Sequence, residues 1–145
     1  DPKSAPQNLM PFLTNVALGN IKELKIYGND YPTPDGTGIR DYIHVMDLAE
    51  GHVAALSYNK ENPGIKFFNL GTGEGTSVLE LLETFEEVNK VKIPYSYSER
   101  RPGDVFSSYA DVSKAKRLLN WEAKKSIGLM CEDSWRWQTN NPHGY

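Results

Sequence analysis

Apolar residues recur at helical spacing in several stretches of the chain, with short apolar runs and turn formers between them. In NLMPFLTNVALGN (8–20), Leu9, Phe12, Leu13, Val16 and Ala17 fall on one face, and Gly19 stands where a helix ends. LKIYG (24–28) reads as a short strand, and GNDYPTPDGTG (28–38), crowded with turn formers, as an exposed loop. IRDYIHV (39–45) reads as a second strand. Asp47 with Glu50 three residues on has capping-box spacing and predicts a helix through Ala54, Ala55 and Leu56. Asn62-Pro63-Gly64 is a turn, and KFFNLG (66–71) predicts a third strand. Ser77 to Asn89 predicts a helix that buries Val78, Leu81, Leu82, Phe85 and Val88. IPYSYSE (93–99) reads as a strand, RRPGD as a turn, and Asp111 as the cap of a helix through Leu118 and Leu119. A last helix from Ser126 aligns Ile127, Met130, Cys131, Ser134, Trp135 and Gln138. The order of elements is that of an α/β protein, without repeats or low-complexity segments.

Composition narrows the class further. At 145 residues the chain is of single-domain size and long enough to bury a core. Sixteen Lys+Arg against 19 Asp+Glu, a formal net charge of −3, argue against a nucleic-acid binder. No apolar run approaches the roughly 18 residues of a membrane span, and no secretory signal opens the chain. The single cysteine, Cys131, cannot form an intrachain disulfide and reads as a small core residue. A cytoplasmic domain without membrane or nucleic-acid partners is expected.

The glycine-rich turn in KFFNLGTGEGTSVLELLETF (66–85) has the outline of a dinucleotide-binding loop. That fingerprint needs Gly-x-Gly-x-x-Gly between strand and helix and an acidic residue about 20 residues on. Gly71 and Gly73 fit, but the third position falls on Thr76, and Glu99 lies too far along. The expectation is a tight turn in which backbone approaches a neighbour closely, with no NAD site in this chain. The arginines leave two readings open. Arg40, Arg100 and Arg101 could offer guanidinium forks to phosphate oxygens, with Asp104 accepting from ribose hydroxyls. Equally, Arg40–Asp41 and Arg101–Asp104 could be surface ion pairs of little energetic worth. Tyr27 and Tyr31 could flank a base or cover the hairpin. His44 and His52 are expected to pack or cap.

GNDYPTPDGTGIRDYIHVMDLAEGHVAAL, FNLGTGEGTSV, RRPGDV and the closing MCEDSWRWQTNNPHGY, together with DPKSAPQNLMPF at the start, resemble the C-terminal part of the UDP-glucose (UDP-galactose) 4-epimerase family. These are enzymes of the extended short-chain dehydrogenase/reductase superfamily, and the resemblance runs over essentially the whole chain. It implies that residues 1–145 form one C-terminal UDP-sugar-binding domain, with elements that complete the Rossmann sheet of a missing N-terminal domain. It also implies NAD bound mainly by that absent domain, a UDP-sugar substrate and a homodimer at full length. The family's glycine-rich fingerprint and Tyr-x-x-x-Lys pair are not here: no tyrosine of this chain has a lysine four residues on. The chain therefore looks like part of an enzyme, with no catalytic, cofactor-binding or metal-binding residue of its own.

Residue by residue, the resemblance implies the following. Asn8 and Leu9, at a helix start, meet the pyrophosphate. Lys25 and Tyr27 read the uracil edge through their main chain. Arg40 and Arg101 clamp the diphosphate, and Asp104 holds the ribose. Arg100, Gly28, Gly71 and Gly73 are structural, and Trp121, Trp135 and Trp137 fill the interface between the last helices and the rest. Ser108 falls where a bulky tyrosine restricts some members to UDP-glucose and UDP-galactose, so a serine implies acceptance of UDP-GlcNAc and UDP-GalNAc as well. The alternatives are a nucleotide-sugar dehydratase or decarboxylase, a non-enzymatic nucleotide-sugar-binding domain, and a structural or interaction module.

Overall fold

The computed structural model describes residues 8–142. In chain order the elements are α1 (Leu9–Ala17), β1 (Leu24–Tyr27), β2 (Ile39–Arg40), α2 (Val45–Glu61), β3 (Thr76–Ser77), α3 (Val78–Asn89), β4 (Tyr95–Ser98), β5 (Ser107–Ser108), α4 (Ser113–Leu119) and α5 (Ile127–Asn140). His143, Tyr145 and residues 1–7, where the family resemblance begins, lie outside the described residues.

The apolar stripes of α1, α3 and α5 meet the inner face of β1. Leu13, Val16, Leu24, Ile26, Leu81, Leu82, Phe85, Ile93, Met130 and Cys131 form one buried cluster, and the Phe85 and Trp135 rings meet edge to face at 6.0 Å. Cys131 is the expected core residue, and burial pushes its thiol pKa up to about 12. β1 runs parallel to β4, with Leu24 opposite Tyr95 and Tyr27 opposite Ser98. Helix α3 begins at the expected residue because Ser77 and Glu80 form a reciprocal capping box: Glu80 N–H donates to Ser77 Oγ at 3.0 Å, and Ser77 N–H to Glu80 Oε2 at 3.3 Å.

Several expectations are corrected. The strand expected over 39–45 is only Ile39–Arg40, antiparallel to β3 and parallel to β5. Beyond Arg40 the side chain of Asp41, rather than main chain, makes the bonds to the neighbouring segments. Residues 66–71 form no strand, because no described strand lies beside them to share backbone hydrogen bonds. Ile65 and Phe67 are 86% and 79% exposed. Helix α2 starts two residues before the expected cap: His44 is the N-cap, and its Nδ1 accepts from Met46 N–H at 3.1 Å. The buried Asp47 carboxylate instead accepts from Lys124 N–H (3.0 Å) and Lys125 N–H (2.8 Å), tying the start of α2 to the segment before α5. The cap position of α4 is Val112, with Asp111 one residue earlier accepting from Ser113 N–H at 3.0 Å. Val88 is partly exposed rather than buried. Trp121 and Trp135 fill interfaces as expected, whereas Trp137 is half-exposed.

Candidate functional site

Asn8, Leu9, Lys25, Tyr27, Arg40, Arg101 and Asp104 line one cavity of about 640 Å³, together with Phe12, Tyr31, Gly38, Tyr42 and Val78 among others. Chain positions almost a hundred residues apart thus converge on one mouth. Its floor is the N-terminus of α1, its wall the edge of β1, and its rim β2 with the 100–104 turn. Ser108 does not line this cavity. It stands exposed on β5, directly opposite Arg40 in the β2–β5 register.

Each wall has a local reason. Asn8 is the N-cap of α1 but makes no side-chain capping bond, and with Leu9 it lines the cavity, at the end of a helix that attracts anions. β1 is hydrogen-bonded to β4 along one edge: Leu24 N–H donates to Pro94 O at 2.8 Å and Gly28 N–H to Ser98 O at 2.9 Å. The alternation of a parallel ladder turns the main-chain groups of Lys25 and Tyr27 to the other edge, where no described strand pairs. The Lys25 side chain is directed elsewhere, to Ser96 Oγ at 2.8 Å and Glu23 Oε1 at 2.7 Å. Gly28 has a positive φ of 84°, and a Cβ there would collide with the Tyr31 ring.

The charged rim is a carboxylate shared by two guanidiniums. Asp104 Oδ2 accepts from Arg101 Nε at 2.9 Å, and Asp104 Oδ1 lies 3.7 Å from Arg40 Nη2. Arg40 also donates to Ile39 O at 2.7 Å. Of the two ion pairs expected, Arg101–Asp104 forms, whereas Arg40 pairs with Asp104 and not with Asp41. The Arg101 guanidinium carbon stands 5.0 Å from the centre of the half-exposed Tyr27 ring. Arg100 is structural as expected, donating to Asp30 Oδ1 and O and stacking over Tyr31 at 4.2 Å. Burial pushes the Tyr42 hydroxyl pKa up to about 12, so that hydroxyl stays protonated beside Arg40.

The glycine-rich turn encloses an anion, but the anion is the chain's own. Asp41 Oδ1 accepts from Thr72 N–H (2.9 Å) and Thr72 Oγ1 (2.6 Å), while Oδ2 accepts from Gly73 N–H (3.1 Å) and Ala110 N–H (3.2 Å). A Cβ on Gly71 would run into that carboxylate, and Gly73 has a φ of 79°. The close-approach expectation holds: Asp41 lies against Gly71 and takes the amides of Thr72 and Gly73. Among the described residues no group of His, Cys, Asp and Glu could hold a metal ion, and no helix is long and apolar enough to cross a membrane.

A family model described as GDP-mannose 4,6 dehydratase matches residues 2–134. The chain belongs to this family. It is 54% identical to UDP-glucose 4-epimerase of Bacillus subtilis (strain 168) over 145 residues, which is 100% of this chain and 43% of the relative. It is 50% identical to that of Pasteurella multocida (strain Pm70), again over 100% of this chain and 43% of the relative. A crystal structure of UDP-glucose 4-epimerase from Stenotrophomonas maltophila with NAD and formylated UDP-arabinopyranose superposes with TM-score 0.93 at 46% identity. It covers 97% of this chain and 42% of that one. The enzyme from Bifidobacterium longum, in complex with NAD+ and UDP, gives 0.89 at 48% identity, over 99% and 42%. The chain thus spans less than half the length of these relatives, as the C-terminal portion of an extended short-chain dehydrogenase/reductase would.

Two residues of the 41–47 stretch, Asp41 and Asp47, work in ways their sequence position did not suggest. Within 41–47, Asp41, His44 and Asp47 each tie a distant segment. Since His44 Nδ1 accepts from Met46, its Nε2 carries the proton and donates to Asp133 Oδ2 on α5 at 3.1 Å. His44 caps and packs as expected; His52 bonds to Leu48 O, four residues back. The apolar residues around Asp41 and Asp47 gave no hint of such partners. The one available signal was a carboxylate at 41 and a glycine-rich turn at 71–75 that had to approach something closely.

Proposed function

We propose that this chain forms the UDP-sugar-gripping part of a NAD-dependent UDP-glucose 4-epimerase that interconverts UDP-galactose and UDP-glucose. The observation that carries the reading is the cavity itself. It unites a helix N-terminus, two guanidiniums, a carboxylate and an unpaired strand edge, the donor and acceptor set that a nucleoside diphosphate needs. Relatives at 50–54% identity with that name, and neighbours crystallised with NAD and UDP, support it.

In this reading the α1 N-terminus at Asn8 and Leu9 receives the pyrophosphate. Arg40 and Arg101 then exchange part of their bond to Asp104 for phosphate oxygens, which frees the carboxylate to accept from ribose hydroxyls. The main chain of Lys25 and Tyr27 pairs with the uracil edge. Fixing the nucleotide by remote contacts leaves the hexose free to turn over while it stays in the site. When bound, NAD supplies a hydride acceptor for the sugar's C4. In this reading that group is bound mainly by an N-terminal Rossmann domain of the longer protein.

The exposed residues Val45, Val53, Leu56, Ile65 and Phe67 form the apolar surface such a domain would cover. Residues 1–145 then act as one UDP-sugar-binding domain of a cytoplasmic enzyme that is a homodimer at full length. Ser108, opposite Arg40 in the β2–β5 register but outside the cavity lining, is in this reading the small residue that admits an acetamido group, so UDP-GlcNAc and UDP-GalNAc are substrates as well.

The test is conversion of UDP-galactose to UDP-glucose by the full-length protein. Arg40→Ala is expected to raise KM about 10- to 100-fold, the loss of a charge-assisted hydrogen bond of about 1.5–3 kcal/mol. The 145-residue chain alone should convert nothing and bind no NAD. Turnover by that chain alone, or a full-length protein that ignores both sugars, refutes the proposal. The family's dehydratase description favours one other reading, which predicts loss of water and a keto-deoxy sugar in place of the epimer.

A further inference from the structure

We propose that Asp41 is a positioning residue for the sugar end of the site: by holding the glycine-rich turn and the segment after Ser108 together, it sets where Ser108 stands relative to Arg40. This rests on the UDP-sugar reading above.

The β2–β5 ladder is only two residues long, pairing Ile39 with Ser107 and Arg40 with Ser108, with Ile39 N–H donating to Phe106 O at 2.9 Å. A pair that short is not stable by itself. Immediately after it, Asp41 Oδ2 takes up Ala110 N–H, so a side chain prolongs the ladder where the main chain stops. The same carboxylate holds Thr72 and Gly73, and the lack of a Cβ at Gly71 leaves it room. Arg40 immediately precedes the clamp, and Ser108 lies two residues before Ala110. A shift of the clamp therefore moves Ser108 at the sugar end relative to Arg40, which keeps its own bonds to Ile39 O and Asp104, while the α1 terminus and the β1 edge, which also hold the nucleotide, are untouched.

Burial disfavours the charged form of Asp41, but the bonds from Thr72, Gly73 and Ala110 outweigh it and hold the carboxyl below its ordinary value, so it is ionised at neutral pH. Asp41→Asn keeps the shape and the acceptor towards Thr72. It turns an NH2 group against the amides of Gly73 and Ala110, which leaves donors facing donors.

Two readouts on the full-length protein decide the inference, and they fail separately from the functional reading. The first needs no activity. In Asp41→Asn, amide hydrogen exchange at Ala110 and Ile39 should accelerate at least tenfold, with the amides of α1 and β1 unchanged. The second is kinetic: the ratio of kcat/KM for UDP-GlcNAc to that for UDP-glucose should change at least threefold, with the inhibition constant of free UDP within twofold of wild type. Should Asp41→Asn not fold, Thr72→Val removes the hydroxyl that donates to Asp41 and also bonds to Glu74, while keeping the Thr72 amide bond, and should move the same exchange rates and ratio two- to threefold. Unchanged exchange at Ala110 and Ile39 overturns the inference whether or not the enzyme is an epimerase. An unchanged substrate ratio in an active enzyme, or a loss of UDP affinity equal to the loss of sugar turnover, overturns it as well.

Discussion

The two halves of the molecule treat their apolar residues in opposite ways. Around α1, β1, α3, β4 and α5, apolar stripes face one another, and Leu13, Leu81, Phe85 and Cys131 are completely buried. Around α2 and residues 62–71, apolar residues face outward. The 17 residues of α2 bury only Asp47 and Gly51, while Val45, Val53 and Leu56 line up at helical spacing on its outer side. The sequence patterns of the halves look alike, each with strands of β-branched or aromatic residues and an amphipathic helix. What separates them is whether a partner surface exists within residues 8–142. A stripe with a partner becomes core, and a stripe without one becomes an interface in waiting.

The largest expected effect breaks the comparison by deletion. Phe85→Ala should cost about 3–5 kcal/mol, read from a urea midpoint, whereas Phe67→Ala in the same chain should cost under about 0.5 kcal/mol. In the full-length protein Phe67→Ala should become costly too. An equal cost in both contexts would mean that nothing covers the outward half.

Exposure of that half should also show in solution. We expect the 145-residue chain to be marginally stable or to self-associate through α2 and residues 65–67. A cooperative, monomeric unfolding transition above about 60 °C would contradict this.

His44 links the halves, capping α2 while bonding to Asp133 of α5. His44→Ala should cost about 1–2 kcal/mol, and its coupling to Asp133→Ala in a double-mutant cycle should be non-zero. Additive costs would leave the halves mechanically independent.

Acid should act chiefly where partly buried carboxylates hold segments together. Asp35, Asp41 and Glu86 are all held below their ordinary pKa values: burial raises each, and hydrogen bonds outweigh it, to Asp35 from Ser77 and Thr37, to Asp41 from Thr72, Gly73 and Ala110, and to Glu86 from Lys92 and Ile93. A depressed folded-state pKa gives stability that is present above the unfolded value and lost as pH falls through the folded one. The loss therefore begins near the ordinary values of 3.8 and 4.5 and deepens below them. Unfolding midpoints taken from pH 6 to pH 2 should fall along that limb, and Asp41→Asn should flatten it.

The smallest effect on stability carries the sharpest functional contrast. Ser108→Tyr, on an exposed strand end, should change stability by less than about 0.5 kcal/mol. It should abolish only the N-acetyl activity of the full-length enzyme and leave UDP-glucose turnover intact.

Local chemistry wrote much of the fold into the sequence. The limits of α1, α3 and α5 follow from 3.6-residue apolar spacing and from caps such as Ser77 and Ser126, interactions within one or two turns of the chain. The seven cavity residues were legible through their resemblance to a family, and Gly71 through its need for close approach. What sequence left undecided lies wherever a partner is distant. IRDYIHV and KFFNLG have the composition of strands, yet a strand exists only where another backbone offers hydrogen bonds, and here Asp41 or nothing takes that place. Asp47 has the spacing of a helix cap, yet it binds amides 77 and 78 residues away, because the chain's return past α2 brings those donors closer than any local one. Spacing along the chain fixed which residues share a face. Only the tertiary structure, by bringing some faces a partner and leaving others bare, decided which became core, which became clamp and which remained open.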